Sequence, residues 1–421
     1  MRKPRVLRRI CAGALAAGAL ALSGCGGGED GSGPTELHWF ISIQPGGSVE
    51  AVAAACSKQS NGRYEIVPEL QPSDATLTHE QLIRRLGAED PTVDLIGMDV
   101  VWTAEFANAG WIKPWEGAAA REVSRGVFGP VLQTATFEDT LYGAPFNSNT
   151  QLLWYRKDKT PKPPRTWEEM IREAERLDTT IAAQGNRYEG YTVWVNAMIE
   201  SAGAQLLSGP ESVSLDEQPT TEALRLIGEV ANSPAALATL STSDEDVSRL
   251  AFEAGDAYFM INYTFAYSSA ATEAPDIAKV MGAAPFPRVA PDLPEAPPLG
   301  GFNIGVGEFT EHEDLAFEAA RCLTSPEQQL TVTELDGLPP VREALYDTKI
   351  VKKAFPGFAQ LTADQIQAAA PRPVTPAYTD VSLAVQRALH PPDAIDPDDP
   401  TSAFEELLEK LEDAAKREGL I

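Results

Sequence analysis

The side chains best suited to chemistry in this sequence are carboxylates, amides, aromatic rings and one framed arginine. Asp99 follows the apolar run 93–98. A carboxylate at such a strand end either caps the next helix or accepts hydrogen bonds from ligand hydroxyls, because open α/β sheets bind ligands beyond the carboxyl ends of their strands. Asn147 and Asn149 stand in Pro145-Phe146-Asn147-Ser148-Asn149, just ahead of the apolar stretch 152–155. They read either as turn formers or as amides offering a donor and an acceptor to a diol. Glu253, Asn262, Tyr263 and Phe265 flank a strand-like run at 257–261. Rings there serve either the core or the C–H face of a ligand. Arg372 lies between Pro371 and Pro373. Two prolines hold the backbone extended, leaving the guanidinium either solvated or aimed at a partner. Such a set matches a neutral polyol, whose hydroxyl edges need polar groups and whose C–H surfaces need aromatic faces.

Signatures of catalysis do not accompany these residues. The sequence holds no G-x-x-x-x-G-K-[ST] phosphate loop and no G-x-S-x-G elbow, and Gly305-Val306-Gly307 lacks dinucleotide-fingerprint spacing. His38, His79, His312 and His390 are scattered, and with four cysteines they leave little material for a zinc site, so no metal or cofactor is expected. A glycoside-processing enzyme needs only two carboxylates. With 61 acidic residues, that alternative stays open, as does a scaffold for surface partners.

The chain of 421 residues carries 34 Lys+Arg against 61 Asp+Glu, a formal charge of −27. A nucleic-acid partner is therefore not expected, since no uncompensated cations exist to displace phosphate counterions. Length predicts two or three lobes. The first residues locate the protein. A basic start (Arg2, Lys3, Arg5, Arg8, Arg9), an apolar run from residue 10 to 22 and small residues to follow describe a secretory signal at 1–24, too short to span a bilayer. Leu22-Ser23-Gly24-Cys25 resembles the bacterial lipobox, which implies acylation of Cys25. Removing residues 1–24 strips five cations and no acid, taking the charge from −27 to −32. Residues 25–35 read as a lipidated cysteine and flexible linker. The expected location is extracytoplasmic, on the outer face of the cell membrane, held by lipid alone. Cys56 and Cys322 remain, and in an oxidising compartment they are expected to pair, with two free buried thiols as the alternative.

Positioning falls to an alternation of apolar strands and helical patterns, the mark of α/β architecture. Strands are expected at 37–43, 64–70, 93–98, 257–261 and 302–306, with helices near Ser48 and at 81–86. Thr166 with Glu169, Thr310 with Glu313 and Ser402 with Glu405 read as capping boxes, and Ser325-Pro326 as a further helix start. Proline clusters at 161–164, 285–298 and 371–376 mark exposed connections or hinges.

Five segments, MDVVWTAEFANAGW (98–111), NTQLLWYRKD (149–158), YTVWVNAMIESAGAQLLS (191–208), ARCLTSPEQQ (320–329) and GLPPVREALYD (337–347), resemble in their order the extracellular solute-binding proteins of maltose/trehalose-type sugar ABC importers. Within that family the trehalose-recycling lipoproteins are the nearest likeness. The resemblance implies a two-lobed periplasmic-binding-protein-like α/β fold of type II with a hinge. Its N-terminal lobe would comprise 36–148 and 299–346, and its C-terminal lobe 149–298 and 347–421. It implies no catalysis. A disaccharide would lie between the lobes of a monomer, trehalose first, then maltose or a related α-glucoside. Permease transmembrane subunits with a separate ATPase subunit would be the partners. Asp99 looks like the family's cleft aspartate, Asn149 like its cleft asparagine, Glu253 like the acidic residue before the next strand, and Arg372 like the arginine that closes over the ligand. Tyr263 stands where relatives carry tryptophan. Gly301 looks like the close-approach glycine, and Phe302 occupies a position of leucine or tryptophan. Cys56 and Cys322 match cysteines of the family, and both would fall in the N-terminal lobe.

Overall fold

The structure, a computed structural model, describes residues 33–72, 75–209 and 212–415. The signal segment, Cys25 and most of the linker lie outside them. In chain order the strands are β1 (Thr35–Ser42), β2 (Tyr64–Gln71), β3 (Leu95–Asp99), β4 (Thr136–Phe137), β5 (Thr140–Leu141), β6 (Ala144–Arg156), β7 (Thr180–Ala182), β8 (Leu207–Gly209), β9 (Ser212–Val213), β10 (Ala257–Tyr263), β11 (Met281–Ala284) and β12 (Leu299–Val306). The expected strands all form, with ends moved by up to three residues.

The main sheet runs β2-β1-β3-β12-β6-β10-β7, with β11 also on β6. β1 is parallel to β2 and β3, while β12 runs antiparallel to β3 and β6. The 13-residue β6 changes partner along its length. Its first half pairs with β12, from Ala144↔Ile304 to Thr150↔Leu299. From Gln151 onward it pairs with β10, and from Leu153 with β11. One continuous strand thus joins both halves of the sheet of this α/β molecule.

Each half of the sheet buries its own core, because strands covered by helices on both faces must be apolar throughout. Around β1, β3, β12 and the start of β6, Leu37, Trp39, Ile41, Leu95, Phe146, Ile304 and Val306 pack against helices 48–59 and 313–323. Around β10 and the end of β6, Leu153, Tyr155, Phe259 and Ile261 pack with Trp167, Trp194 and the helix Glu217–Asn232. Tyr378 joins Val100, Val101 and Trp102, although the helix it begins continues into the second core through Val381 and Val385. Cys56, on the helix Ser48–Gln59, is disulfide-bonded to Cys322, on the helix Glu313–Leu323, and both pack at the first core.

Helix starts follow the sequence in two of four cases. Thr166 accepts from the Glu169 amide, and Ser325 accepts from that of Gln328 with proline at the first turn. Thr310 does not cap, since the helix begins at Glu313 and the Thr310 hydroxyl donates to Asp94 instead. Ser402 lies inside the helix Pro400–Ala415, which proline opens two residues earlier.

Candidate functional site

At the carboxyl end of β3, three charged side chains from distant segments meet. Asp99 ends that strand, and its Oδ1 accepts from the Val101 amide at 3.2 Å. It therefore makes the local turn contact and also faces a partner. Arg372 Nη2 lies 3.4 Å from the same oxygen, across a sequence separation of 273. On its other side, Arg372 Nη1 donates to Glu189 Oε1, at the first turn of the helix Glu189–Ser201. Glu189 also accepts from the Tyr378 hydroxyl and, at 2.6 Å, from Ser382 Oγ. The Arg372 side chain is 4% exposed, and those of Asp99 and Glu189 about a quarter or less.

Two carboxylates share one guanidinium here. Burial raises the Asp99 carboxyl above its ordinary range, and Glu189 adds to this, so the attraction of Arg372 does not offset them. Burial works against the Arg372 charge, yet Tyr378, Asp99 and Glu189 around it hold the guanidinium protonated well above its usual range. The Arg372 guanidinium also lies 5.7 Å from the centre of the Tyr378 ring.

Tyr263 and Asn149 adjoin this network. Tyr263 ends β10, and its hydroxyl is pushed up by burial and by Glu245, with Arg372, Asp99 and Glu189 close enough to contribute. A methyl group built on Gly300 would meet Asn149 Cβ at 3.6 Å and the Tyr263 ring at 4.0 Å, so these three residues line one spot. Phe302 pairs with Asp99 on one side and Asn147 on the other, placing all three in one row across the sheet. Gly301 has φ +128, and a Cβ there would stand 2.2 Å from the Asn147 carbonyl oxygen, so only glycine fits between the strands.

Four buried polar atoms of these residues have no partner within the protein: Asn147 Oδ1, Asn149 Oδ1, Glu253 Oε1 and Arg372 Nε. Buried polar groups are ordinarily paired, so these four atoms carry unused hydrogen-bonding capacity. Asn262 differs. Its amide nitrogen donates to Glu245 O at 2.9 Å and its oxygen accepts from the Tyr263 amide at 2.8 Å. Both ends are engaged, and the residue braces the end of β10. Glu253 pairs at 2.9 Å with Arg249, which also donates to Ser269 Oγ. Glu189 is the member that the sequence reading missed. It sits in Tyr188-Glu189-Gly190, just ahead of one of the five matching segments, with nothing local to set it apart from the other acids. Among the described residues, no three His, Cys, Asp or Glu converge as a metal site.

Comparison with known proteins gives this geometry a context. The family model described as bacterial extracellular solute-binding protein matches residues 42–330. The chain belongs to that family, and its fold is the two-lobed one of those proteins. A probable ABC transporter-binding protein of Deinococcus radiodurans is 28% identical over 357 residues, covering 80% of this chain and 83% of that one. A maltotriose-binding protein of Pyrococcus abyssi is 26% identical, covering 75% of this chain and 66% of its own length. Among solved structures, maltose-bound MalE3 of T. maritima superposes with a TM-score of 0.78 at 25% identity, covering 90% of this chain and 99% of that one.

Proposed function

We propose that the protein is the substrate-binding lipoprotein of a sugar ABC importer, holding an uncharged disaccharide between its lobes and delivering it to membrane permease subunits served by a separate ATPase. Acylated Cys25 tethers it to the outer face of the membrane, and it acts as a monomer without chemistry of its own. The lobes divide at 36–148 with 299–346, and 149–298 with 347–421. The observation that carries this reading is the Asp99–Arg372–Glu189 network, which joins segments of both lobes beside Tyr263, Asn149 and buried polar atoms lacking protein partners.

Electrostatics supports the choice of a neutral ligand. Arg372 is already shared by two carboxylates, so the site has no spare cation for a phosphate or a uronate. Asp99 and the free carboxamide oxygens accept from sugar hydroxyls, Arg372 donates, and the Tyr263 ring covers a C–H face. Maltose and maltotriose in the names of relatives support an α-glucoside, and the likeness to trehalose-recycling lipoproteins puts trehalose first. Sugar touching both walls stabilises the closed form by its differential affinity for that state. A site built to pair hydroxyls rejects sugars that leave its buried groups unpaired.

Calorimetric titration with trehalose, maltose, other α-glucosides and their phosphates tests the reading. One neutral disaccharide is expected to give saturable heat at a 1:1 ratio, with no monosaccharide in the recovered solution. Absence of heat across the panel, or release of glucose, overturns it.

A further inference from the structure

Two of the three proline clusters in the sequence meet in space, away from the residues of the sugar site. The loop at 160–165 and the segment at 284–295 enclose a cavity of about 880 Å³, together with the helix Trp167–Arg176. Backbone hydrogen bonds lock the two sides together. Arg288 N donates to Arg165 O at 3.0 Å, and Trp167 N donates to Arg288 O at 3.1 Å. Pro163, Pro164, Pro285 and Pro291 form walls over buried Phe286, so the groove is rigid and preformed. Its volume falls in the range of binding sites rather than of packing defects.

The charge of this groove is opposite to that of the molecule. Lys162, Arg165, Arg172, Arg176 and Arg288 line it against Glu169, Glu173 and Glu295, within a chain of net charge −27. The acids are largely engaged. Glu169 accepts from the Arg165 amide at 2.8 Å, Glu173 pairs with Arg176 at 2.6 Å, and Glu295 pairs with Arg288 at 2.9 Å. Arg172 has only an exposed pair with Glu168 at 3.4 Å. Lys162 and Arg165 are exposed, with no side-chain ion pair among the described residues.

We propose that this groove receives an acidic, extended polypeptide segment of a partner protein. The cations are spread along a loop, two turns of helix and a second strand-like segment, an arrangement that suits a row of carboxylates better than a single anion. Arg176 is held by Glu173 and Arg288 by Glu295, so the cations left to a ligand are Lys162 and Arg165 on the loop and Arg172 on the helix. Planar guanidinia pair with carboxylates in bidentate fashion, and proline faces accept the intervening apolar side chains. In a chain of net charge −27, a groove lined by more cations than acids would favour docking of an acidic partner there.

Fluorescence polarisation of a labelled octaglutamate peptide against the full chain tests this, with Lys162→Glu/Arg165→Glu and a control reversal, Lys352→Glu/Lys353→Glu, on the exposed helix Lys349–Ala354. The expected result is saturable binding at low salt, at least tenfold weaker in the groove variant and within about twofold of wild type in the control, with sugar binding unchanged in both. No binding by wild type, or equal weakening by both reversals, overturns the proposal. So does displacement of the peptide by millimolar inorganic phosphate, which would mark a single-anion site. Binding to phosphatidylglycerol vesicles without binding to the peptide also overturns it, as that marks a lipid surface.

Discussion

Arg372 is the residue on which the site turns, because it bridges Asp99 at the end of β3 and Glu189 at the start of the helix Glu189–Ser201. Truncating it leaves Asp99 and Glu189 facing each other without a cation. Arg372→Ala is expected to weaken sugar binding about 10- to 150-fold, equivalent to about 1.5–3 kcal/mol, measured by calorimetry. Asp99→Ala should fall in the same range, and unaltered affinity in that variant would remove Asp99 from the site. Gly301→Ala tests a different property. A Cβ 2.2 Å from Asn147 O at φ +128 forces the two strands apart, so a loss of about 2 kcal/mol or more in stability is expected by denaturant titration. Glu200 supplies a pH signature. Burial raises its carboxyl to about 7, from an ordinary 4.5. The folded state therefore holds that proton more tightly than the unfolded chain. The stabilisation is complete below about pH 4.5 and is lost as pH rises through about 7, up to about 3 kcal/mol in all. Melting curves of Glu200→Gln should lack this decline.

These residues were unequally legible. Asp99 and Arg372 stood out locally, one at the end of an apolar run and the other between prolines. Glu189 did not, because its importance arises only when the helix it opens is packed beside residue 372. Asn262 stood out for the right reason, a polar residue at a strand end, but tertiary structure gives both ends of its amide to Glu245 and Tyr263.

At the scale of elements, the disulfide is the sharpest test. It joins helices 266 residues apart in sequence, so its loss frees a long loop in the unfolded chain. Cys56→Ser/Cys322→Ser is expected to cost about 2–5 kcal/mol, seen as a lower unfolding midpoint. Ligand affinity should be kept, since both cysteines pack in the first core away from Arg372. Short-range pattern found the apolar strands, whose composition follows directly from burial on two faces. It placed no strand at β6, whose first half carries Asn147, Ser148 and Asn149, residues that signal a turn and instead pair with β12. Thr310 fails as a cap for a similar reason. Its hydroxyl has a better partner in Asp94, brought next to it by sheet pairing that no local window reveals.

At the scale of the whole molecule, the proposed function is that of a clamp. The strand β6 is shared by both halves of the sheet, and the charged network lies at the carboxyl end of β3. The fold was legible because an ordered set of segments across most of the chain carried it, whereas the ligand rests on a few side chains, Tyr263 and Phe302 among them. The most direct test is a crystal structure of the chain grown with saturating trehalose or maltose. The expected result is one intact disaccharide hydrogen-bonded to Asp99, Asn149 and Arg372, with a ring laid on Tyr263. A sugar bound elsewhere, an unfilled cleft at saturation or a cleaved glycosidic bond would contradict it.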